Sequence, residues 1–173
     1  RLASKTLDDF AEHYRESWLA LMRAKLGLST CEENDPVIIS ELFDLMEAQS
    51  IDFTLLFRGL ADVLQENKSG LLNLFLEAAP FERWLATWSE RLARETLPDE
   101  ERIALMNGVN PLYIPRNHIV EEALQAAEKE ANYAPIEKLM DVLSDPYTAR
   151  EGLEEYALPP SADLAPYKTF CGT

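Results

Sequence analysis

Apolar residues recur at three- and four-residue intervals along most of this chain, the spacing that gathers side chains on one face of an α-helix. Leu7, Phe10, Ala11, Tyr14, Trp18, Leu21 and Met22 make the first such stripe. Thr6 with Asp9 three residues on gives a capping-box pattern for its start, and Gly27 supplies its stop. After the polar loop "STCEENDP", Asp35 and Pro36 serve as N-cap and first-turn residues of a second helix to about Glu47. Asp52 caps a third over residues 53–66, striped by Phe53, Leu56, Leu60, Val63 and Leu64. Gly59 interrupts that stripe, at a cost of about 1 kcal/mol against Ala unless a neighbour needs the space.

A short helix, "GLLNLFLEAA", follows the "NKSG" turn. Pro80 opens the next, with Phe81, Trp84, Leu85, Trp88 and Leu92 on one side, and Pro98 opens another from Asp99 to Met106, ended by Asn107-Gly108. Pro111 and Pro115 push Asn110 and Ile114 out of helical backbone. A helix from Pro115 or Arg116 to about Asn132 turns Ile119, Val120, Ala123, Leu124 and Ala127 inward. Pro135 opens a last one, with Ile136, Leu139, Met140 and Leu143 inward, and from Asp145 onward Pro146, Pro159, Pro160 and Pro166 break regular structure. No alternating pattern persists long enough for a sheet. The expectation is an all-α chain: one multi-helix domain of seven or eight helices over residues 1–147, then an extended proline-rich tail, 148–173, ending near Cys171.

The 173 residues are 47% hydrophobic and 27% charged, enough apolar material for a sizeable core. Sixteen Lys and Arg against 31 Asp and Glu leave a net charge of −15. That balance argues against nucleic acid and against an anionic membrane as partners, because both need a basic face. No apolar run approaches the roughly 20 residues that cross a bilayer. Two cysteines 140 residues apart do not make a disulfide scaffold and suit a reducing compartment. The chain opens at Arg1 without Met, which reads as a fragment whose true N-terminus lies upstream.

Little in the sequence is arranged for chemistry. The clusters "CEEND", "PDEER" and "IVEEA" read as solvated acids, two of them at helix starts where negative charge suits the macrodipole. His13 and His118 are too far apart for a local metal motif; His13, beside Tyr14, reads as a surface or half-buried histidine, and His118 has no nearby Ser or Cys nucleophile in sequence. The glycines form neither a dinucleotide fingerprint nor a phosphate loop. Asp52-Phe53-Thr54 only superficially matches the metal-binding Asp-Phe-Gly of kinases and reads as a helix start. Trp84 and Trp88 could stack a ligand but fit the core better. Arg58 and Arg116 sit in apolar sequence. A buried Arg needs a carboxylate or carbonyl partner, so each reads as a clamp holding a loop on helices, with phosphate binding the alternative. Cys171, three residues from the end of an irregular tail, is suited to thiol exchange, whereas Cys31 sits in an acidic loop.

Several blocks together resemble one family: "KLGL" (25–28), "DFTLLFRGL" (52–60), "MNGVNPLYIPRN" (106–117), "LMDVLSDPY" (139–147), "LPP" (158–160) and a terminal cysteine. They are similar to the C-terminal part of selenoprotein O-type proteins, the SelO/YdiU family. The block of Asn110, Pro111, Tyr113, Ile114, Arg116 and Asn117 is the most specific, and Arg58 belongs to the second. The resemblance implies a parent with a kinase-like fold that binds ATP in a reversed orientation. It implies transfer of AMP to Ser, Thr or Tyr hydroxyls of other proteins with Mg or Mn. The nucleotide- and metal-binding residues of such a parent lie ahead of this segment, so no catalytic, cofactor or metal residue is assigned here. The implied partners are the upstream kinase-like core and the parent's protein substrates. The implied compartment is the cytoplasm for a bacterial-type parent and the mitochondrion for a eukaryotic one. Family members often end in a Cys or selenocysteine motif, in some disulfide-linked to the core. Cys171 matches that position approximately but is followed by Gly172 and Thr173 with no second cysteine. Outside the resemblance, an independent helical module that binds a partner helix stays open, as does, more remotely, a metal-dependent hydrolase built on acidic helices.

Overall fold

A computed structural model describes the backbone of residues 2–161 and the side chains of residues 9–161. Every element among them is helical: α1 (Leu2–Lys25), α2 (Asp35–Gln49), α3 (Phe53–Val63), α4 (Ser69–Leu72), α5 (Ala78–Leu92), α6 (Asp99–Val109), α7 (Asn117–Glu130), α8 (Ala134–Ser144) and α9 (Glu154–Ala157). The all-α expectation holds. Seven of these helices have 11 residues or more, and α4 and α9 are single turns. The chain divides into two compact units, with the division between Asn110 and Pro111.

In the first unit, α2 lies against α5, α3 against α4 and α6, and α1 against α6 and α2. The core is aromatic along α5. Phe75, Phe81, Trp84 and Trp88 stack in a row with centroid separations of 4.1, 5.7 and 5.9 Å. Their indoles are satisfied by carbonyls: Trp84 Nε1 donates to Ile38 O at 2.8 Å and Trp88 Nε1 to Leu26 O at 2.9 Å. Both tryptophans are buried, so they belong to the core and not to a stacking platform.

The helix ends correct several local readings. α1 begins ahead of Thr6, which therefore lies within the helix and not at its cap. Gly27 does stop it. At φ +72° it lets Gly27 N–H reach Ala24 O and Leu28 N–H reach Arg23 O, the paired bonds of a left-handed helix end. Asp52 caps α3 through Leu55 N–H at 2.8 Å. Asp35 caps nothing: Asn34 holds the N-cap position of α2, and Asp35 is fully buried. The short helix after "NKSG" contracts to α4, and α6 runs through Asn107-Gly108 to Val109. Gly59 gives room to Leu71, whose Cδ1 would lie 2.8 Å from an added Cβ.

In the second unit α7 and α8 pair as a hairpin. Pro146 O accepts from both Leu112 N–H (2.8 Å) and Tyr113 N–H (3.1 Å), which ties the irregular start of the unit to the end of α8. Tyr113, Val142, Leu153 and Ala157 form a small separate core. The segment read as extended from residue 148 thus carries a helical turn, α9, and contributes two core residues before residue 161. Among the residues expected to face inward, Leu124 and Met140 are exposed, and Val142 takes the buried place on α8. Cys171 and the tail beyond residue 161 lie outside the described residues.

Candidate functional site

The polar centre of the first unit is built on the loop between α1 and α2. Three guanidinium groups, from Arg23, Arg91 and Arg102, converge with three carboxylates, from Glu32, Asp35 and Glu95. Arg91, on the buried face of α5, donates Nε to Asp35 Oδ1 (2.8 Å), Nη1 to Glu95 Oε1 (3.0 Å) and Nη2 to Thr30 O (3.0 Å). Arg23 Nε donates to the other Asp35 oxygen at 2.7 Å, and Glu32 N–H donates to the same atom at 2.9 Å. Arg102, from α6, reaches Gly27 O, Leu97 O (2.9 Å) and Glu95 Oε2 (3.2 Å).

Glu95 is the most heavily bonded of the acids. Its carboxylate accepts from Ser29 N–H (2.7 Å) and Oγ (2.6 Å) and from Thr30 N–H (3.0 Å) and Oγ1 (2.8 Å), besides the two arginines. Burial alone would raise its pKa. The Ser29 and Thr30 donors outweigh that and hold it down at about 2. Asp35 behaves alike: burial opposes ionisation, but Arg91, the Glu32 amide and Arg23 keep its carboxyl below the ordinary range. A general acid or base works best with a pKa near the operating pH, and these groups are driven away from it. The network is therefore a permanent ionic knot that pins the 27–35 loop to α5 and α6.

Sequence reasoning missed this knot. "CEEND" read as solvated acids, yet Asp35 is fully buried. A signal was present: Arg91 follows Trp84 and Trp88 on the same helical stripe and stands four residues before Glu95, and Arg102 precedes buried Met106 by four. A charged residue in register with a core stripe is a candidate buried pair.

The six residues singled out by motif fall on both units. In the first, Arg58 Nη1 donates to Asn107 O and Asn110 O, both at 3.1 Å, at the C-terminal end of α6. Asn110 is buried in extended backbone, donating Nδ2 to Lys25 O (2.9 Å) and accepting from Lys25 Nζ (3.2 Å). In the second unit, Pro111 is half-buried, and Tyr113 is buried with its hydroxyl accepting from Arg150 N–H at 3.1 Å. Arg150 in turn donates to Asp141 O and Val142 O, at 2.9 and 3.0 Å, at the end of α8. Arg116 is buried and donates Nη2 to Ala157 O (2.8 Å), while Asn117 is exposed as the first residue of α7. The arginines meet backbone carbonyls, the geometry of clamps. His13 is exposed beside Glu16, at 3.9 Å. Among the described residues no three His, Cys, Asp or Glu side chains converge as a metal site would require, and no helix is long and apolar enough to cross a membrane.

Fold and site together define an all-α domain whose buried polar groups serve architecture. Residues 2–144 match the family model for protein adenylyltransferase SelO, and the chain belongs to that family. It is 40% identical over 172 residues to the protein nucleotidyltransferase YdiU of Rhodopseudomonas palustris, covering 99% of this chain and 35% of that protein. Against YdiU of Geobacillus kaustophilus the identity is 43% over 173 residues, covering 99% and 34%. Against that of Bacillus thuringiensis it is 37%, covering 100% and 34%. The chain thus spans about a third of the length of these relatives.

Proposed function

We propose that this chain is the C-terminal helical part of a protein adenylyltransferase and steadies a kinase-like core encoded ahead of it. The observation that carries the reading is the asymmetry of coverage: nearly all of this chain matches YdiU proteins, yet only about a third of each is used. The nucleotide chemistry belongs to the remaining two thirds. There a Ser, Thr or Tyr hydroxyl oxygen of a protein substrate attacks the α-phosphorus of ATP, with Mg or Mn as the divalent metal. A new P–O ester forms, pyrophosphate leaves with the electrons of the broken bond, and the hydroxyl proton is released. The acidic chain suits a cytoplasmic setting without nucleic-acid or membrane partners.

Cys171 is the regulatory candidate. Its thiol and one on the core would each lose a proton and an electron to a disulfide oxidant such as oxidised glutathione, closing a bond that fixes the tail. Two measurements test the reading. The intact parent transfers labelled AMP from ATP to a protein acceptor, and the 173-residue chain alone does not; transfer by the chain alone overturns the assignment. Cys171→Ser in the parent abolishes the difference in transfer between oxidising and reducing buffer; an unchanged redox response removes Cys171 from regulation.

A further inference from the structure

Between Phe10 and Leu21, α1 carries an unpartnered apolar seam among the described residues. Every side chain from Asp9 to Ser17 is exposed, and burial begins only at Trp18. Phe10, Tyr14 and Leu21 are 66%, 63% and 60% exposed. At 100° per residue these three fall within about 40° of arc, one narrow seam down the helix. Their spacing, with Ser17 between, is the alternation of four and three residues by which one helix presents itself to another. The rings of Phe10 and Tyr14 already stack on each other at 6.3 Å, giving the seam a continuous aromatic surface.

A helix of this length draws most of its stability from tertiary packing, so such a seam calls for a cover. We infer that the seam formed by Phe10, Tyr14 and Leu21 is the docking surface for the chain that precedes this segment in the full-length protein. The inference rests on the reading of this chain as the C-terminal part of its parent, and it names the surface through which that part joins the core. Two observations select the occupant. The relatives carry about two thirds of their length outside the matched part, ample to supply a complementary face. α1 is also the first described element, so in the parent the preceding chain joins the very helix that carries the seam and meets it at high effective concentration. A second copy is disfavoured by the −15 net charge that each chain carries.

The test uses the intact parent with a photo-crosslinking benzoyl-phenylalanine at position 10 or, separately, at position 21. Irradiation is expected to give a cross-link within one polypeptide, mapped by mass spectrometry to residues ahead of Arg1. The same probe at Glu12, on another face of the helix, gives none. A cross-link between two copies, a cross-link confined to residues 1–173, or no cross-link from either position overturns the inference. A parent that transfers AMP but shows one of those outcomes rejects this surface alone. A parent without preceding sequence rejects the functional reading as well.

Discussion

Arg91 Nε lies 2.8 Å from Asp35 Oδ1 across 56 residues of sequence, and neither side chain has any solvent exposure. The pair ties the entry of α2 to the last turn of α5. A buried pair of this kind need add little net stability, because both ions lose their water. Removing one partner is a different matter, since it strands the other. Asp35→Ala is expected to cost about 3–5 kcal/mol in urea unfolding of this chain. In an Arg91→Met background the same change should cost clearly less, by 1 kcal/mol or more, the coupling of two groups in one network. Equal costs in both backgrounds would mean that Arg91 is not coupled to Asp35, leaving Arg23 and the Glu32 amide to hold it.

The knot also sets the acid limb of stability. Glu95 titrates at about 2 in the folded chain against an ordinary 4.5. Between those values the unfolded chain takes up the proton first, so stability is full above pH 4.5 and falls as pH drops toward 2. Asp35 and Glu32 are shifted in the same direction, Asp35 against the cost of burial and Glu32 chiefly by its bond to Arg94. Glu95→Gln should lower stability at neutral pH and flatten the slope between pH 4.5 and 2, measured as urea midpoints across that range. A slope unchanged by the substitution would place the acid sensitivity elsewhere.

Glycines separate space from backbone. Gly27 combines φ +72° with neighbours 2.7 Å (Met106 Sδ) and 2.9 Å (Arg102 Cγ) from an added Cβ. Gly152 has φ +80° and open space, and Gly108 lies in α6 with open space and ordinary helical backbone. Thermal unfolding should rank the alanine variants accordingly. Gly108→Ala is expected to stabilise by roughly 0.5–1 kcal/mol, by helix propensity. Gly152→Ala is expected to destabilise by about 1 kcal/mol, from the left-handed backbone alone. Gly27→Ala should be worst, because it adds displacement of the buried Arg102 to the same backbone strain.

The helices were legible because their apolar period is local information. The α5 stripe of Phe81, Trp84, Leu85, Trp88 and Leu92 is buried throughout, as its spacing requires. The ends were less legible where a polar residue had two uses. Asp35 has the chemistry of an N-cap, but Arg23 and Arg91, distant in sequence, compete for its carboxylate and win. Stripe positions misled where cover was lacking: Phe10, Tyr14 and Leu21 belong to the predicted stripe of α1, yet they share a seam that stays exposed beside buried Met22. Periodicity reports which face is apolar and not what covers it. The charged core of the site was only partly legible: register with the core stripe marks Arg91 as a candidate for burial, but not which distant carboxylates meet it.

Asn110 offers the sharpest test of a residue picked out by motif alone. It is 1% exposed, and its amide is used at both ends, donating to Lys25 O at 2.9 Å and accepting from Lys25 Nζ at 3.2 Å. The Lys25 ammonium also donates to Val109 O (3.1 Å) and sits 5.6 and 5.8 Å from the ring centres of Phe53 and Phe57. The end of α1 is thereby stitched to the end of α6, while Arg58 holds the carbonyls of Asn107 and Asn110 from α3. Asn110→Ala strands Lys25 O and is expected to destabilise by about 1–3 kcal/mol. Asn110→Asp keeps the shape but sets a carboxylate oxygen against that carbonyl, so it should rescue only part of the loss despite the nearby ammonium. Arg58→Lys should replace Arg58 only in part, because both bonds leave Nη1 at the tip of a planar guanidinium, which the shorter, freely rotating lysine ammonium does not place equally well. Urea unfolding of the three variants decides the matter: if Asn110→Ala is neutral, this stitch is not what holds α6 in place.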